Sequence, residues 1–357
     1  MACDLGVRAM HPVGLTRAGI ISPIVAVLDR VGAPVGKLLA RANIPAWART
    51  YAEMLIPTSS AARLLAEGAR TQGIENLGLL AGREARIESL GVFGRLIRRS
   101  QTVGEALREV VSDHPMFSSS GRVWLPSRDE QVEFCHTFTN KFDKFDEGWQ
   151  QLDHYVLMLM LGIVRLGSDP TWSPAQVHVQ TGESAVLRDA EPLVAARLAF
   201  GQPATTITLP ATLLRQRLPP PSADVQMPGD SVDTWTASAP ARDFVTSVVQ
   251  AVEMLSWEGY PNIHVTADFL GMSVRTLQRH LATAGVTHEM LVGKSRFATA
   301  AALLEETDTK ILDIALDLGY SDHAHFTRAF RQWVDCSPQE YRRRRGATPG
   351  SSKLTGT

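Results

Sequence analysis

One short pattern occurs twice in the chain, first as Thr266-Ala-Asp-Phe-Leu-Gly-Met-Ser273 and again as Ile314-Ala-Leu-Asp-Leu-Gly-Tyr-Ser321. Each copy begins with an apolar helical segment that ends at a glycine, a residue that takes the left-handed backbone of a helix terminus at little cost. Each copy ends in a serine, which is predicted to cap the following helix by accepting a hydrogen bond from a free N–H group. The pattern therefore predicts a helix, a turn and a second helix, twice over.

The second helices are predicted over Val274-Arg-Thr-Leu-Gln-Arg-His-Leu281 and Asp322-His-Ala-His-Phe-Thr-Arg-Ala-Phe330. In each segment apolar residues recur at helical spacing on one face, and the other face is polar. The copies differ by one step, because the first leucine lies four residues after Ser273 whereas Phe326 lies five residues after Ser321. An amphipathic second helix of this kind can enter the major groove of DNA.

A further helix is predicted between the two copies, from Glu289 to Glu306, because its centre is rich in alanine, the residue with the highest helix propensity. Its apolar stripe at helical spacing consists of Met290, Phe297, Ala301 and Leu304. After the second copy, Ser337-Pro-Gln-Glu340 has the spacing of a capping box with proline at the first helical position, which predicts a last helix. Two helix-turn-helix patterns joined by one helix are a far more specific signal than one pattern alone.

This constellation closely resembles the DNA-binding domain of the AraC/XylS family of bacterial transcription regulators, over about residues 241–345. The resemblance implies that the second helix of each copy contacts DNA. By position in the family motif, the DNA-binding residues are Ser273, Arg275, Thr276, Gln278, Arg279, Ser321, His323, Ala324, Thr327 and Arg328. Ala324 departs from the polar residue often found at its position, which implies that the second helix reads fewer bases or contacts a thymine methyl group.

Charge supports DNA contact only locally. Residues 241–357 carry equal numbers of basic and acidic side chains, which counts against DNA binding, but residues 273–284 contain no acid. There Arg275 and Arg279 lie one helical turn apart on a polar face, and arginine can pair with guanine through two hydrogen bonds. An ordinary solvated surface is the alternative. The run Arg342–Arg345 has two equal interpretations, phosphate contact or a complement to a helix dipole.

The composition is that of an ordinary folded protein of two or three domains, with 357 residues, 44% of them hydrophobic, and a formal net charge of −1. No apolar run reaches the roughly 18 residues of a membrane span, and the N-terminus lacks the layout of a signal peptide. Cys3, Cys135 and Cys336 match no zinc spacing and suit a reducing compartment. We therefore expect no membrane association and a cytoplasmic, nucleoid-associated protein.

The order of the predicted elements divides the chain into four parts. Residues 1–218 are expected to form an α+β domain. Its predicted segments are helices at 20–28, 36–42, 61–73 and 102–113, a hairpin at 122–138, a long helix from about 146 to 166, strands at 175–180 and 204–209, and a helix at 190–198. A proline-containing linker at 219–237, an all-α domain with two helix-turn-helix units at 238–345, and a disordered tail at 346–357 complete the chain.

The first domain resembles the arabinose-binding-like N-terminal regulatory domain of one AraC subgroup. The segments that carry the likeness are Gly91-Val-Phe-Gly94, Gln101-Thr-Val-Gly-Glu-Ala-Leu107, Phe200-Gly-Gln-Pro203 and Leu209-Pro-Ala-Thr-Leu-Leu214. The resemblance implies a domain that binds a small organic effector, of a kind that the sequence does not name. On the long helix, Trp149, Tyr155 and Met158 are candidates to line an effector site, since methionine packs adaptably. Packing in a helical core is the commoner role of such residues.

No catalytic, metal-binding or cofactor-binding residue is predicted. Cys135 and His136 are neighbours in a strand, so their side chains point to opposite faces and should not form a nucleophile–base pair. Asp143, Asp146, Glu147, Asp153 and His154 form an acidic stretch without a repeated ligand spacing. The first 218 residues contain no phosphate-binding loop and no nucleophile elbow. An enzyme is therefore not expected.

Together these observations predict a sequence-specific transcription regulator, an activator or a repressor, that responds to a small effector. One monomer is expected to cover two boxes of double-stranded DNA about one helical turn apart, and a homodimer two such pairs. RNA polymerase is a candidate partner. Two alternatives stay open: an effector-independent regulator whose first domain only dimerises, and an enzyme fused to a DNA-binding domain.

Overall fold

The computed structural model describes residues 12–139, 146–220, 231–259 and 261–346. The chain divides into two compact units. The first unit comprises the residues up to Ser247 together with Phe269–Gly271, and the second comprises Val248–Asp268 and the residues from Met272 onward. The domain bounds set from the sequence stay predictions. Some residues named in the sequence predictions lie outside the described residues: Cys3, Asp143, residues 221–230 of the linker and the tail beyond Gly346.

The first unit contains helices and strands in the mixed order predicted for an α+β domain. Its helices are α1 (Ser22–Arg30), α2 (Val35–Arg41), α3 (Thr58–Gln72), α4 (Leu77–Glu84), α5 (Val92–Arg98), α6 (Val103–Phe117), α7 (Glu147–Arg165), α8 (Ala185–Arg188) and α9 (Ser231–Ala237), and α10 (Phe244–Leu255) continues into the second unit. Its strands are β1 (Leu15–Arg17), β2 (Leu55–Pro57), β3 (Gly121–Trp124), β4 (Ser127–Arg128), β5 (Gln131–Phe138), β6 (Gln176–His178), β7 (Arg197–Ala199) and β8 (Thr205–Pro210). Side-chain caps start two of the predicted helices of this unit: Thr102 accepts a hydrogen bond from Glu105 N–H, and Asp146 accepts one from Trp149 N–H.

The strands form two sheets. β1 and β2 pair as a short antiparallel ribbon. The larger sheet has the strand order β3-β5-β8-β6-β7, and β4 also pairs with β5. Its neighbours are antiparallel except β6 and β7, which run parallel. The predicted hairpin and the strands predicted at 175–180 and 204–209 are therefore confirmed, and so is the α+β class.

The long helix α7 packs against α3 and α4 in the core of the first unit. Glycines on α4 make the approach close. A Cβ atom at Gly78 would lie 2.0 Å from the carbonyl oxygen of Gln151, and one at Gly82 would lie 2.6 Å from the Cβ of Met158. The Gln151 side chain accepts a hydrogen bond from Gly78 N–H at 2.7 Å. These contacts fix α7, whose other side chains reach the sheet.

Three predictions for the first unit are wrong. The helix predicted at 190–198 is absent, because the chain turns after α8, passes Pro192, which has no amide hydrogen to donate, and enters β7. The helix predicted from residue 61 begins three residues earlier, at Thr58. The N-terminal part is not purely helical, since β1 and β2 pair across about 40 residues of sequence.

The second unit is helical, as predicted. It completes α10 and contains α11 (Ile263–Phe269), α12 (Val274–Thr283), α13 (His288–Glu306), α14 (Ile311–Asp317), α15 (His323–Val334) and α16 (Pro338–Gly346). Gly271 and Gly319 lie between the paired helices with φ of 68° and 75°, the left-handed backbone expected of them. Within the described ranges no helix combines the length and apolarity needed to cross a membrane.

Candidate functional site

The helix α12 presents a polar face that is anchored by a buried one. Ser273 Oγ accepts a hydrogen bond from Thr276 N–H at 3.1 Å, which confirms the predicted cap. Leu277 is 0% exposed, and Leu281 is buried below it. On the other face of the helix, Arg275, Gln278 and Arg279 are exposed, and Thr276 is half-buried.

The helix α15 is capped by Asp322 and not, as predicted, by Ser321. A carboxylate oxygen of Asp322 accepts a hydrogen bond from His325 N–H at 2.7 Å, whereas the Ser321 hydroxyl donates to the Asp322 carboxylate at 3.2 Å. The hydrogen bond from His325 N–H is the main cause that lowers the pKa of Asp322. An anionic acceptor next to the positive end of a helix is favoured over a hydroxyl, and this explains the later start.

The corrected cap removes the difference in phase between the two copies. Counted from its cap, each helix buries its fourth residue, Leu277 in α12 and Phe326 in α15. Positions two, three, five and six then pair Arg275 with Ala324, Thr276 with His325, Gln278 with Thr327 and Arg279 with Arg328. His325 is also exposed, at the position of Thr276, and is not among the residues predicted from the sequence. Aspartate is as good a cap as serine, and a cap at Asp322 would indicate this position.

The exposed face of both helices carries unpaired positive charge. Among the described residues no acid forms an ion pair with Arg275, Arg279 or Arg328. Ser321, His323 and Ala324 are exposed at the start of α15, whereas Thr327 is half-buried and its hydroxyl oxygen is covered by protein, without a partner among the described residues. Side chains that keep their donors free can bond to phosphates and base edges.

The helix α13 connects the two helix-turn-helix units. At its start, the His288 ring lies 2.9 Å from the Thr266 hydroxyl on α11. Further along, the Phe297 ring packs at 5.5 Å from Phe330 and at 5.7 Å from Trp333, both on α15. The predicted stripe is wrong at Met290, which is 57% exposed. α13 thus contacts the first helix of the first helix-turn-helix and the second helix of the second helix-turn-helix.

The C-terminal arginines divide between two roles. Arg342 donates hydrogen bonds to the carbonyl oxygens of Thr309 at 2.7 Å and Leu304 at 3.3 Å, the latter in the last turn of α13. A cation at this end of a helix complements its dipole, which favours a structural role for Arg342. Arg343 and Arg344 are exposed, and the side chain of Arg345 lies outside the described part.

The first unit contains a separate candidate site, a cavity of about 70 Å³. Its walls come from α5, α6, α7, β3, β5 and the residues next to β1 and β2. The lining residues are Ile20, Thr58, Leu90, Phe93, Val110, His114, Phe117, Ser118, Ser120, Val123, Phe134, His136, Phe138, Val156, Leu159, Met160 and Ile163. Apolar side chains dominate, with a cluster of hydroxyl and imidazole groups among them.

The residues predicted to bind an effector lie near this cavity but do not line it. The Tyr155 hydroxyl donates a hydrogen bond to the carbonyl oxygen of Ile20 at 2.9 Å, and Met158 packs against Gly82. Trp149 is half-buried, and its ring stands edge-on to Phe138, a lining residue, at 5.1 Å. Their role in binding stays a prediction.

Two histidines in the cavity wall are uncharged at neutral pH. Burial lowers the pKa of His136 to about 3 and that of His114 to about 4. The two rings stand edge to face at 5.7 Å. Cys135 points away from them, as strand alternation requires, and accepts a hydrogen bond from the Thr206 hydroxyl at 3.5 Å. The described residues also contain no group of His, Cys, Asp and Glu side chains that could hold a metal ion.

Two family models match the chain. The arabinose-binding domain of AraC transcription regulators, N-terminal, matches residues 32–218, more than half of the chain, and a helix-turn-helix domain matches residues 266–344. The ornithine utilization regulator of Pseudomonas aeruginosa is 25% identical over 276 residues, which cover 74% of this chain and 78% of that protein.

The chain is also similar to a shorter regulator and to a solved structure. The regulatory protein SoxS of Escherichia coli is 42% identical over 86 residues, 23% of this chain and 78% of SoxS. The crystal structure of the transcriptional regulator CdpR from Pseudomonas aeruginosa covers 87% of this chain and 96% of its own at 23% identity, with a TM-score of 0.39. From the matches to both of its domains, we conclude that the chain belongs to the AraC family of DNA-binding transcription regulators.

Proposed function

We propose that this regulator reads two short DNA boxes, one with α12 and one with α15, under the control of an effector bound by the first unit. The observation that carries the proposal is the equal phase of the two capped helices. Each buries the fourth and eighth residues after its cap and exposes polar residues between them. Two equivalent helices joined by one packed helix are built to contact two successive major grooves.

The proposed contacts follow the exposed positions. In α12, Arg275, Gln278 and Arg279 read base edges, because arginine and glutamine form paired hydrogen bonds with guanine and adenine. In α15, Thr327 and Arg328 occupy the positions of Gln278 and Arg279, and His323 and His325 lie exposed beside them. Ala324 offers only a methyl group, so α15 reads its box less strictly. Ser273, Thr276 and Ser321, at the helix starts, contact the phosphate backbone.

The spacing of the boxes tests the two-helix proposal. Both helices can bind together only if their boxes face the same side of the duplex, about 10 base pairs apart. With the full-length protein and a single pair of boxes selected from random DNA, we expect 5 base pairs inserted between the boxes to reduce affinity to that of one box. The same insertion outside the boxes serves as the control. Undiminished affinity after the central insertion would mean that only one of the two helix-turn-helix units contacts DNA.

Base reading by Arg279 is tested by comparing DNAs. Arg279→Ala should weaken binding to the selected site by about 1–3 kcal/mol and relax selectivity at one base pair, with a smaller loss on random DNA. Lys294→Ala, at an exposed position on α13, is the matched control. An equal loss on both DNAs would assign Arg279 to phosphate contact instead.

The control of DNA binding has two candidate forms. Either the first unit of the chain binds an effector, or it only mediates dimerisation. The cavity, with buried polar groups in its wall, favours effector binding. We also propose a homodimer and contact with RNA polymerase, as the family membership suggests, and sedimentation of the full-length protein measures the first of these.

A further inference from the structure

The cavity of the first unit defines the chemistry of a ligand. We propose that it is the effector site, and that it takes a small uncharged molecule with an apolar body and one hydroxyl or carbonyl group. This inference rests on the proposed effector-dependent function and specifies its ligand. An apolar wall, a cluster of buried polar groups and a small volume characterise the site, and its described lining residues carry no charge at neutral pH.

The wall selects an apolar body. Phe93, Phe117, Phe134 and Phe138 contribute aromatic faces, and Phe93 stacks on Phe117 with ring centroids 4.6 Å apart. From α7, Leu159 and Met160 close the other side. A polar body would lose its water here without hydrogen bonds in return, whereas apolar surface is transferred favourably.

The polar cluster selects one hydrogen-bonding group. The hydroxyl of Ser120 lies 2.7 Å from that of Thr58 and 2.8 Å from that of Ser118, which makes a chain of three buried hydroxyls. Each hydroxyl can donate once and accept twice, and the Ser118 hydroxyl also donates to the carbonyl oxygen of Leu15 at 3.4 Å, so the chain retains capacity to accept from a further donor. His136 lines the same space at 5% exposure, and its Nδ1 has no hydrogen-bond partner among the described residues.

Such a cluster is unusual for a mere packing defect. Empty cavities in proteins are apolar, and buried polar groups are normally satisfied. A side chain at position 121 would obstruct the histidines, since a Cβ there would lie 2.8 Å from His136 Nε2 and 2.9 Å from His114 Cε1. Gly121 thus lets both imidazoles close over one end of the space. These features indicate a built site with an unfilled partner position.

The absence of lining charge excludes ionic ligands. Among the described residues that line the cavity there is no Lys, Arg, Asp or Glu, and both histidines are neutral near pH 7. A carboxylate or an ammonium group would be buried without a counter-charge, which is strongly unfavourable. A neutral hydroxyl group can instead donate to the hydroxyl chain, and a neutral carbonyl group can accept from the imidazole of His136.

The volume sets the scale of the ligand. About 70 Å³ is roughly twice the share of one water molecule in the liquid and less than the cavity of about 150 Å³ that takes benzene. A compact aliphatic molecule fits with little movement. A six-membered ring requires the wall to adjust, to which the flexible side chain of Met160 can contribute.

A matched pair of probes tests the ligand class on the full-length protein without DNA. Trifluoroethanol and trifluoroacetate have similar size and a common fluorine signal but differ in charge, and 4-fluorophenol supplies a neutral ring. We expect fluorine NMR to show saturable broadening for at least one neutral probe and none for trifluoroacetate. No saturable binding of either neutral probe, or equal binding of trifluoroacetate, would overturn the proposal.

The location of the bound probe is tested with protein variants and with the NMR signals of the histidines. Ser120→Ala removes one hydroxyl without adding volume and should weaken binding of the neutral probe about tenfold, whereas Ser112→Ala, exposed on α6, should leave it unchanged. In the wild type, the imidazole signals of His114 and His136 should shift on titration, and that of exposed His264 should not. Binding without those shifts would place the probe elsewhere and reject the site, whatever the variants do.

The probe experiments can distinguish failure of the ligand site from failure of the proposed regulatory function. A neutral probe that binds in the cavity and leaves DNA affinity unchanged would contradict effector control and leave the binding site standing. Failure of every neutral probe would reject the site and leave DNA reading by α12 and α15 untouched.

Discussion

Arg17 places a guanidinium inside the first unit, where the residue is 1% exposed. It donates hydrogen bonds to the carbonyl oxygens of Glu53, Met116, Trp235 and Ser238, at 2.6, 3.1, 2.6 and 3.0 Å. Burial lowers the pKa of Arg17 to about 10, so it remains charged at neutral pH. The last two acceptors lie at the end of α9 or just beyond it. Arg17 therefore ties α9, which lies in the segment predicted as a linker, to the first unit.

Removing this side chain should release α9. In Arg17→Met the four carbonyl groups lose a charged donor, and we expect the free energy of unfolding to fall by about 2–4 kcal/mol. Trp235, buried in the wild type, should become exposed and shift its fluorescence to the red. Arg83→Met, at an exposed position on α4, is the matched control, and Trp235→Phe identifies the signal. A variant as stable as Arg83→Met would contradict this role.

At the scale of one element, the start of α15 depends on which residue caps it. Asp322 accepts the hydrogen bond from His325 N–H, and Ser321 lies outside the helix. Asp322→Ala should therefore lower the free energy of unfolding of the second unit by about 1 kcal/mol, the usual contribution of an N-cap, whereas Ser321→Ala should change it much less. Urea unfolding of both full-length variants measures the difference. The reverse order would restore Ser321 as the cap.

The same start is important for DNA reading, because the cap determines which residues face outward. With Asp322 as the cap, His325 occupies the position of Thr276 and Arg328 that of Arg279. The one-step difference seen in the sequence came from pairing the two serines. It disappears when the caps are paired, and both helices then present the same positions.

For the whole molecule, buried ionisable groups of the first unit determine its response to acid. Burial lowers the pKa of His114 and His154 to about 4 and that of His136 to about 3. Burial raises the pKa of Asp153 to about 6, against hydrogen bonds from Thr205 and Thr181 that lower it. Between about pH 6.5 and 4 the unfolded chain thus binds protons at three histidines that the folded chain leaves neutral, while Asp153 has the opposite effect.

Three histidines outweigh one aspartate, so acid should destabilise the first unit. The histidine contribution is complete above pH 6.5 and is lost as the pH falls toward 4, and we expect about 3–5 kcal/mol less stability at pH 5 than at pH 7. His154→Leu, which removes one such group outside the cavity, should flatten this dependence, and His264→Gln, at an exposed position, should not. Unfolding curves at several pH values measure the slope; a stability that rises toward pH 5 would contradict the assignment.

Features that depend on a few adjacent residues were predictable from the sequence. The capping box at Ser337 is confirmed, since Ser337 and Glu340 exchange hydrogen bonds at 2.8 and 3.2 Å. Thr102 caps its helix by accepting a hydrogen bond from Glu105 N–H, but the Glu105 carboxylate accepts from Gln101 N–H and not from Thr102. Gly271 and Gly319 take the left-handed backbone expected of them. Each feature involves atoms within about one helical turn, so its energy is largely independent of the rest of the chain. A repeated motif of such features was enough to indicate the family.

By itself, then, the sequence determined the two helix-turn-helix units, the α+β class of the first unit and the family. Only the tertiary structure decided which apolar residues are buried, as Met290 and Tyr155 show, and which distant segments meet. The β1–β2 pairing, the Arg17 contacts and the cavity around Ser120 and His136 each join residues far apart in the chain. Such contacts form where helices and sheet pack together. The local periodicity of a segment shows which of its faces is apolar but does not identify the distant segment that packs against it.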